Sequence, residues 1–270
     1  MLYFADWIVE HLMDVEAIGY GLGYFGISKH VLGLFIVSAA LMVVFSYFGK
    51  IIDADPIVPR GRFANFIESI LFFLRDEVAR PFLGKSGDKF LPVLWTIFFY
   101  ILFCNLLGLL PLALPFKVPV AGHEGQHWTW FGMVTPTGQI AVTGTLAAIA
   151  GLWWHCLGIR EQGLVAYVKN IVPGGLPLWL IPPLFVIEAL GHVIKIVALA
   201  VRLWANMMGG HTVLFVIFGM IFLFGYVAAP FAILFGIAIY VLEIFVAFLQ
   251  AYVFTFLTVV FLGMALHPDH

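Results

Sequence analysis

Six ionisable side chains lie within the two long apolar segments closest to the C-terminus. They are Glu188, His192, Lys195, Arg202, His211 and Glu243. A charge at the centre of a membrane helix costs roughly 2.5–3.5 kcal/mol on insertion scales, so such residues are expected to face protein or water. Carboxyl and imidazole groups bind and release protons, which makes proton transfer the first chemistry to consider.

The spacing of the polar residues predicts one stripe on the first of these segments. Glu188, His192, Lys195, Arg202 and Asn206 stand at offsets 0, 4, 7, 14 and 18. At about 100° per residue they fall within about 80° of one another. His211 points about 140° from Glu188, so it is expected to face a different neighbour from the one that Arg202 faces. On the last segment, Glu243 and Gln250 are seven apart and share a face.

Most of these residues have a structural alternative that the sequence leaves open. Glu188 with Lys195, and His211 with Glu243, are possible structural ion pairs, and Lys195 is long enough to reach the interface. His192, Asn206 and Gln250 are possible interhelical hydrogen-bonding residues.

Arg202 is the residue that a structural role explains least well. Its guanidinium remains protonated even when buried. No acidic residue stands three or four positions away on either side to neutralise it. We therefore expect its partner on another chain.

The composition requires a membrane around these segments. Of 270 residues, 63% are hydrophobic and 10% charged, and the mean hydropathy is +1.07. Soluble domains average about 45–50% apolar and about 25% charged residues. The net charge of −2, without a basic run, excludes nucleic acid as a partner. Cys104 and Cys156 lack the spacing of a metal site, and we predict neither metal nor cofactor.

The hydropathy pattern predicts an all-α integral membrane protein of about five membrane helices, in one membrane domain over residues 1–270. Spanning helices are expected at 31–49, 90–114 and 138–158, with long helices at 183–224 and 231–265. Residues 1–26 indicate an amphipathic interfacial segment, and the charged stretch after residue 60 indicates an interfacial or re-entrant segment. Residues 115–137 indicate an interfacial loop.

The stretch from Leu184 to Phe224 is too long for one upright span. About 41 residues extend about 62 Å, twice the hydrocarbon thickness. Two spans meeting at Gly209–Gly210 and one strongly tilted helix are both possible. The absence of a polar turn favours a tilted helix that forms a hairpin with its successor.

Lys and Arg predict the orientation. Segment 50–89 holds seven of them, whereas the opposite side has Lys29 and Lys117. By the positive-inside rule the N-terminus lies outside and the C-terminus in the cytoplasm. The N-terminus has no basic region typical of a signal peptide, and we expect a multi-pass protein of the bacterial plasma (inner) membrane.

Three motifs resemble those of F-type ATP synthase subunit a. They are VRLWANMMGGH at 201–211, FLQAYVF at 248–254 and NLLGLLP at 105–111. The resemblance implies a proton-translocating stator subunit that gives protons access to a rotor-ring carboxylate through two offset aqueous half-channels, coupling their flow to rotation and ATP synthesis. It further implies three partners: a ring of c subunits, peripheral-stalk b subunits and the rest of the complex. This would be a non-catalytic subunit of the H⁺-transporting ATPase, and the chain has no Gly-rich phosphate-binding lysine motif.

The resemblance also implies residue roles. Arg202 matches the essential arginine that faces the ring carboxylate. Glu243 and His211, with Gln250 and Asn206, match the proton-uptake side, although acid and imidazole are exchanged relative to some members. On the release side, Glu188 matches an acidic residue, and His192 and Lys195 share its stripe. Gln139 and Ala141 stand where the family often has Asp and Asn, which argues against a polar role there.

Two other functions compete with this interpretation, and a purely structural assembly subunit is a third alternative, against which Arg202 argues. A proton-coupled secondary transporter is expected to show internal repeats and paired broken helices, and the sequence shows no convincing repeat. A haem-binding subunit needs two histidines at one depth on facing helices. His192 and His211 are 19 residues apart on one segment.

Overall fold

Helices dominate the fold of this protein in a computed structural model that describes residues 29–54, 61–110, 114–118, 127–131, 135–171, 177 and 179–266. The helices are α1 (Lys29–Ala54), α2 (Arg62–Phe73), α3 (Arg80–Leu83), α4 (Leu91–Leu109), α5 (Ile140–Gln162), α6 (Leu164–Asn170), α7 (Ile181–Phe224) and α8 (Ala229–Leu266). The segment predicted at residues 1–26 lies outside the described residues.

Five of the described helices are long and apolar enough to cross a membrane: α1, α4, α5, α7 and α8. The prediction of an all-α integral membrane protein with about five membrane helices is therefore confirmed. Prolines stand in the first turn of three of them, at Pro92, Pro182, Pro183 and Pro230. Proline is tolerated there because the N–H groups of a first turn have no acceptor within the helix.

Helix α7 is a single helix of 44 residues that continues without a break through Gly209 and Gly210. Its length is about 66 Å at about 1.5 Å per residue. A bilayer about 30 Å thick accommodates it only if the helix is tilted or extends beyond the hydrocarbon core. The chain then turns at Gly225, whose φ of 70° suits a residue without a Cβ, and α8 follows.

The charged stretch after residue 60 forms a short helical run, in which a π-helical turn over Leu74–Ala79 joins α2 to α3. Arg80 binds Asp76 at 2.8 Å and Asp88 at 3.1 Å, and Arg75 binds Asp76 at 3.0 Å. Ion pairs of this kind keep the charges at the polar surface of an amphipathic segment. A 3₁₀ turn over Lys85–Phe90 leads into α4.

The region expected to be an interfacial loop contains a two-stranded antiparallel hairpin. Strand β1 is Leu114–Val118 and β2 is His127–Phe131, with Leu114 opposite Phe131. Both strands contain aromatic or β-branched residues, which favour extended pairing. The Gly and Pro content that predicted a loop did not reveal this pairing.

Two compact units make up the described chain. Unit A draws on Met1–Val44, Phe99–Val142 and Leu203–Ala251, and unit B on Phe45–Phe98, Thr143–Arg202 and Tyr252–His270. The boundary within α7 falls between Arg202 and Leu203. The single membrane domain remains a prediction.

Candidate functional site

Unit A buries a set of polar side chains in an apolar surrounding, and we call it the unit A cluster. It consists of Asn105 (0% exposed), Thr135 (3%), Thr137 (0%), His211 (5%), Glu243 (8%) and Gln250 (1%). They come from α4, the turn before α5, α7 and α8. Burying a polar group without a partner is costly, so each needs a hydrogen bond from protein or water.

Asn206 and Gln250 join the two long helices within this unit. The Asn206 Nδ2 atom donates to Gln250 Oε1 at 3.0 Å. Leu109, Met207 and Ala247 form an apolar core in the same unit. The two amides therefore form the interhelical contact that was one alternative for them. Gln250 Nε2 has no hydrogen-bond partner in the part of the chain that the structure describes.

His211 contacts the turn that precedes α5. Its Nε2 atom shares a hydrogen bond with the Thr135 hydroxyl, and the Thr135 carbonyl oxygen lies 3.2 Å from His30 Nδ1. The residue before a proline favours extended backbone, and Thr135, which precedes Pro136, has φ −80° and ψ 116°. Gly108 makes room for this turn, because a Cβ there would overlap the Thr135 side chain.

Glu243 lies against the backbone of α7 at the residue before His211. A Cβ on Gly210 would collide with Glu243 Oε1, so the absence of a side chain at 210 lets the carboxyl group approach α7. The predicted acid and imidazole are thus on neighbouring helices of one unit. His211 Nδ1 and Glu243 Oε2 are both buried without a protein hydrogen-bond partner in the described chain.

Three members of the cluster did not emerge from the sequence as site residues. Thr137 Oγ1 donates to Asn105 Oδ1 at 2.7 Å, while Asn105 Nδ2 has no partner among the residues that the structure describes. Asn105 belongs to the NLLGLLP motif, which could have identified it as a candidate site residue. Thr135 and Thr137 flank Pro136 in an unremarkable polar stretch, and only the fold places them beside α4 and α7.

The release-side candidates lie in unit B, where α7 passes α5. His192 packs its ring on His155, with centroids 5.1 Å apart. Lys195 Nζ lies 5.4 Å from the centre of the Phe261 ring. Glu188 is half-buried. The ion pairs found between described residues do not include Glu188 with Lys195, so the structural pair considered for them does not form here.

Arg202 is exposed on α7, and the residues about one turn before and after it, Ala198 and Ala205, are also exposed. Within the described residues it has neither an ion pair nor a hydrogen bond. A cation on an apolar, membrane-embedded face is unfavourable unless another molecule or water solvates it. The partner on another chain that the sequence led us to expect for Arg202 stays a prediction.

Comparison with known proteins gives a consistent result. Residues 31–263 match the sequence profile of a family described as ATP synthase A chain. A protein called ATP synthase subunit a in Myxococcus xanthus is 38% identical over 270 residues, covering 97% of this chain and 82% of the relative. A protein of the same name in Chloroherpeton thalassium is 37% identical over 268 residues, covering 97% of this chain and 72% of the relative.

Proposed function

The chain belongs to the ATP synthase subunit a family, and on this premise we propose that it carries protons through two offset half-channels to a rotor-ring carboxylate. Membership makes it a multi-pass membrane subunit of the F-type ATP synthase complex. The half-channels, their residues and the coupling of proton flow to rotation are the proposal. Phosphoryl chemistry belongs to other subunits of the complex.

The observation that supports the proposal most strongly is the set of unpaired polar atoms in the unit A cluster. Asn105 Nδ2, His211 Nδ1, Glu243 Oε2 and Gln250 Nε2 are buried without a hydrogen-bond partner among the described residues. Buried polar atoms are almost always hydrogen-bonded, and ordered water satisfies those that protein does not. Several such atoms in one unit favour a hydrated path over dry helix packing.

In the periplasmic half-channel, Glu243 and His211 take up the proton. Both groups bind and release protons, and the Thr135 hydroxyl fixes the orientation of the imidazole. Gln250 and Asn206, which are hydrogen-bonded to each other, line the path toward the ring. The hydroxyl and amide groups of Thr137 and Asn105 offer further hydrogen bonds to water in the same unit.

The cytoplasmic half-channel uses the polar stripe of α7 in unit B. Glu188 and His192 accept protons that leave the ring, and Lys195 completes the stripe. A ring carboxyl group that faces lipid stays protonated because desolvation disfavours its ionised form.

Arg202 acts between the two paths. A permanent cation favours the ionised form of a nearby ring carboxylate, so the carboxyl group releases its proton when it reaches Arg202. The charge also repels protons that would pass directly from one half-channel to the other. Protons then cross only with rotation of the ring. The membrane potential contributes about 2.3 kcal/mol per charge per 100 mV to this drive.

Passive proton flux through the membrane sector tests the proposal. Vesicles containing this subunit with its c ring and b subunits, stripped of the ATP-hydrolysing part, are compared as wild type, Glu243→Gln and Arg202→Ala. We expect flux to require the ring, and a carboxyl-modifying reagent acting on the ring to block it. Glu243→Gln should lower flux by about 10²-fold, the order that a positioned acid–base group contributes. Arg202→Ala should abolish ATP-driven pumping once the complete enzyme is reassembled.

The variants separate this function from its rivals. Flux that is independent of the ring and depends on an added solute would identify a secondary transporter. Robust ATP-driven pumping by Arg202→Ala would remove the central role of that residue. Leu249→Ile, an exposed apolar position beside Gln250, serves as the control and should leave flux unchanged.

A further inference from the structure

His155 and Tyr167 form a hydrogen-bonded pair that neither the motifs nor the proposed function uses. His155 Nδ1 and the Tyr167 phenol oxygen are 2.6 Å apart. The His155 ring also contacts His192, with ring centroids 5.1 Å apart at 55°. Three groups that bind and release protons thus lie in succession within unit B.

Close helix packing holds the two histidines together. Gly151 and His155 are one turn apart on α5, and His192 and Ile196 are one turn apart on α7. A Cβ on Gly151 would lie 2.5 Å from Ile196 Cδ1. Since Gly151 has no side chain, α5 and α7 approach closely, and His155 meets His192 in the next layer.

Two further glycines bring Tyr167 back to α5. The chain reverses at Gly163, whose φ of 83° favours glycine, and Tyr167 N donates to Gly163 O at 2.9 Å. A Cβ on Gly158 would lie 2.6 Å from Tyr167 Cε2. Tyr167 therefore fills the space beside Gly158, and only 9% of the residue remains exposed.

Tyr167 lies outside the long apolar helices. It belongs to α6, in the segment that the positive-inside rule places in the cytoplasm. Burial raises the pKa of its phenol, so the hydroxyl stays neutral and can donate and accept. Asn170 and Gln162 continue the polar contacts, with Asn170 Nδ2 donating to Gln162 Oε1 at 2.9 Å.

We propose that His155 and Tyr167 extend the cytoplasmic half-channel, so that protons leave by a path from His192 through His155 to Tyr167. This inference rests on the proposed function, since it adds an outlet to that path. His155 takes up a proton at Nε2 from the His192 imidazolium, directly or through water. Its Nδ1–H bond breaks as the Tyr167 oxygen accepts that proton, and the phenolic O–H proton passes to water. One proton enters and one leaves, and the starting tautomer returns when Nε2 gives up its proton to water and Nδ1 takes one from water.

The groups that face His155 define the expected pH dependence. Helix α7 contributes His192 and Lys195, with Glu188 acting on His192. Helix α6 contributes Tyr167, while α8 packs Phe261 on the neighbouring Trp154. Imidazoles change charge between about pH 5 and 8, so the path should respond to cytoplasmic pH in this window.

The test is passive proton flux through the complete membrane sector as cytoplasmic pH varies from about 5 to 8. His155→Gln should lower flux at least about tenfold, within the range of a lost acid–base group, and should change the shape of the pH profile. Tyr167→Phe keeps the ring beside Gly158 and removes only the hydroxyl, and it should lower flux severalfold. Cys156→Ser, an exposed neighbour of His155, is the control and should match wild type.

Each outcome has a definite meaning. If His155→Gln lowers flux by the same factor at every pH, His155 has a packing role and the proposal is overturned. Flux in His155→Gln equal to that of wild type would overturn it as well. If His155→Gln does not assemble, Tyr167→Phe decides, and wild-type flux in that variant overturns the path. The proposed function stands, whatever happens to the His155 path, if wild-type flux requires the ring and Glu243→Gln lowers it. Flux that does not require the ring would overturn both the proposed function and the path through His155.

Discussion

The positions of Glu243 and His211 in unit A depend on small or polar residues of neighbouring elements. Glu243 approaches α7 only because residue 210 lacks a Cβ. His211 receives its orientation from Thr135 on a different element. The acid and the imidazole therefore need two features, a glycine and a threonine hydroxyl, that carry no charge themselves.

Gly210→Ala should impair proton uptake without destabilising α7. The new methyl group would displace the Glu243 carboxyl group, and we expect passive flux to fall about tenfold or more, as for a misplaced acid–base group. Within a helix, Ala is about 0.5–1 kcal/mol more favourable than Gly, so instability would not explain the loss. Gly209→Ala is the matched control, because a Cβ there meets nothing within 4 Å. Equal flux in the two variants would contradict the role of Gly210.

Thr135→Val should weaken the position of His211. The change keeps the shape of the side chain and leaves the buried imidazole without its hydroxyl partner, at a cost of about 1–3 kcal/mol. We expect a lower thermal midpoint in detergent and reduced flux. Thr135→Ser retains the hydroxyl and should restore most of both. If Thr135→Val and Thr135→Ser have the same thermal midpoint and the same flux, the hydrogen bond to His211 does not contribute to function.

Helix α7 carries more of the proposed site residues than any other described element. It carries Glu188, His192 and Lys195 in unit B and Asn206 and His211 in unit A, with Arg202 at the boundary. One continuous helix fixes the axial order of all these residues, since each residue adds about 1.5 Å. The residues proposed for release and for uptake therefore occupy different positions along α7.

The amphipathic run containing α2 and α3 should show a small acid-sensitive contribution to stability. Hydrogen bonding and charge from Arg75, and then Arg80, hold the pKa of Asp76 below its usual range. A pKa depressed in the folded state gives a stabilisation that is complete above the unfolded value, about 3.9. It disappears as pH falls through the folded value.

Thermal unfolding of the purified subunit in detergent checks this expectation. Wild type should be slightly more stable than Asp76→Asn at pH 7, because exposed ion pairs contribute little. The difference should narrow below about pH 4. A difference that grows on acidification would contradict the assignment.

For the whole molecule, an odd number of spans predicts termini on opposite sides of the membrane. Five described helices are long enough to cross, and the Lys and Arg distribution predicts an outside N-terminus. A single cysteine at residue 270 of a cysteine-free variant should react with a membrane-impermeant thiol reagent only from the cytoplasmic side. One at residue 2 should react from the opposite side. Labelling of both from one side would require a different number of spans.

The sequence by itself determined the membrane class, the long helices and the identity of the charged residues. Apolar length and the cost of isolated charges in lipid act locally along the chain, so composition and spacing reveal them. The stripe from Glu188 to Asn206 follows from helical period alone. The resemblance of the motifs suggested roles for Arg202 and the other charged residues, and these roles stay predictions.

Only the tertiary structure decided which side chains meet. Thr135 with His211, Gly210 with Glu243, and His155 with Tyr167 and His192 join different elements. Such contacts depend on helix separation and on small residues that permit close approach, and neither leaves a periodic signal in the sequence. The hairpin of β1 and β2 was also missed, because strand propensity depends strongly on the surroundings of each strand and Gly and Pro suggested a loop.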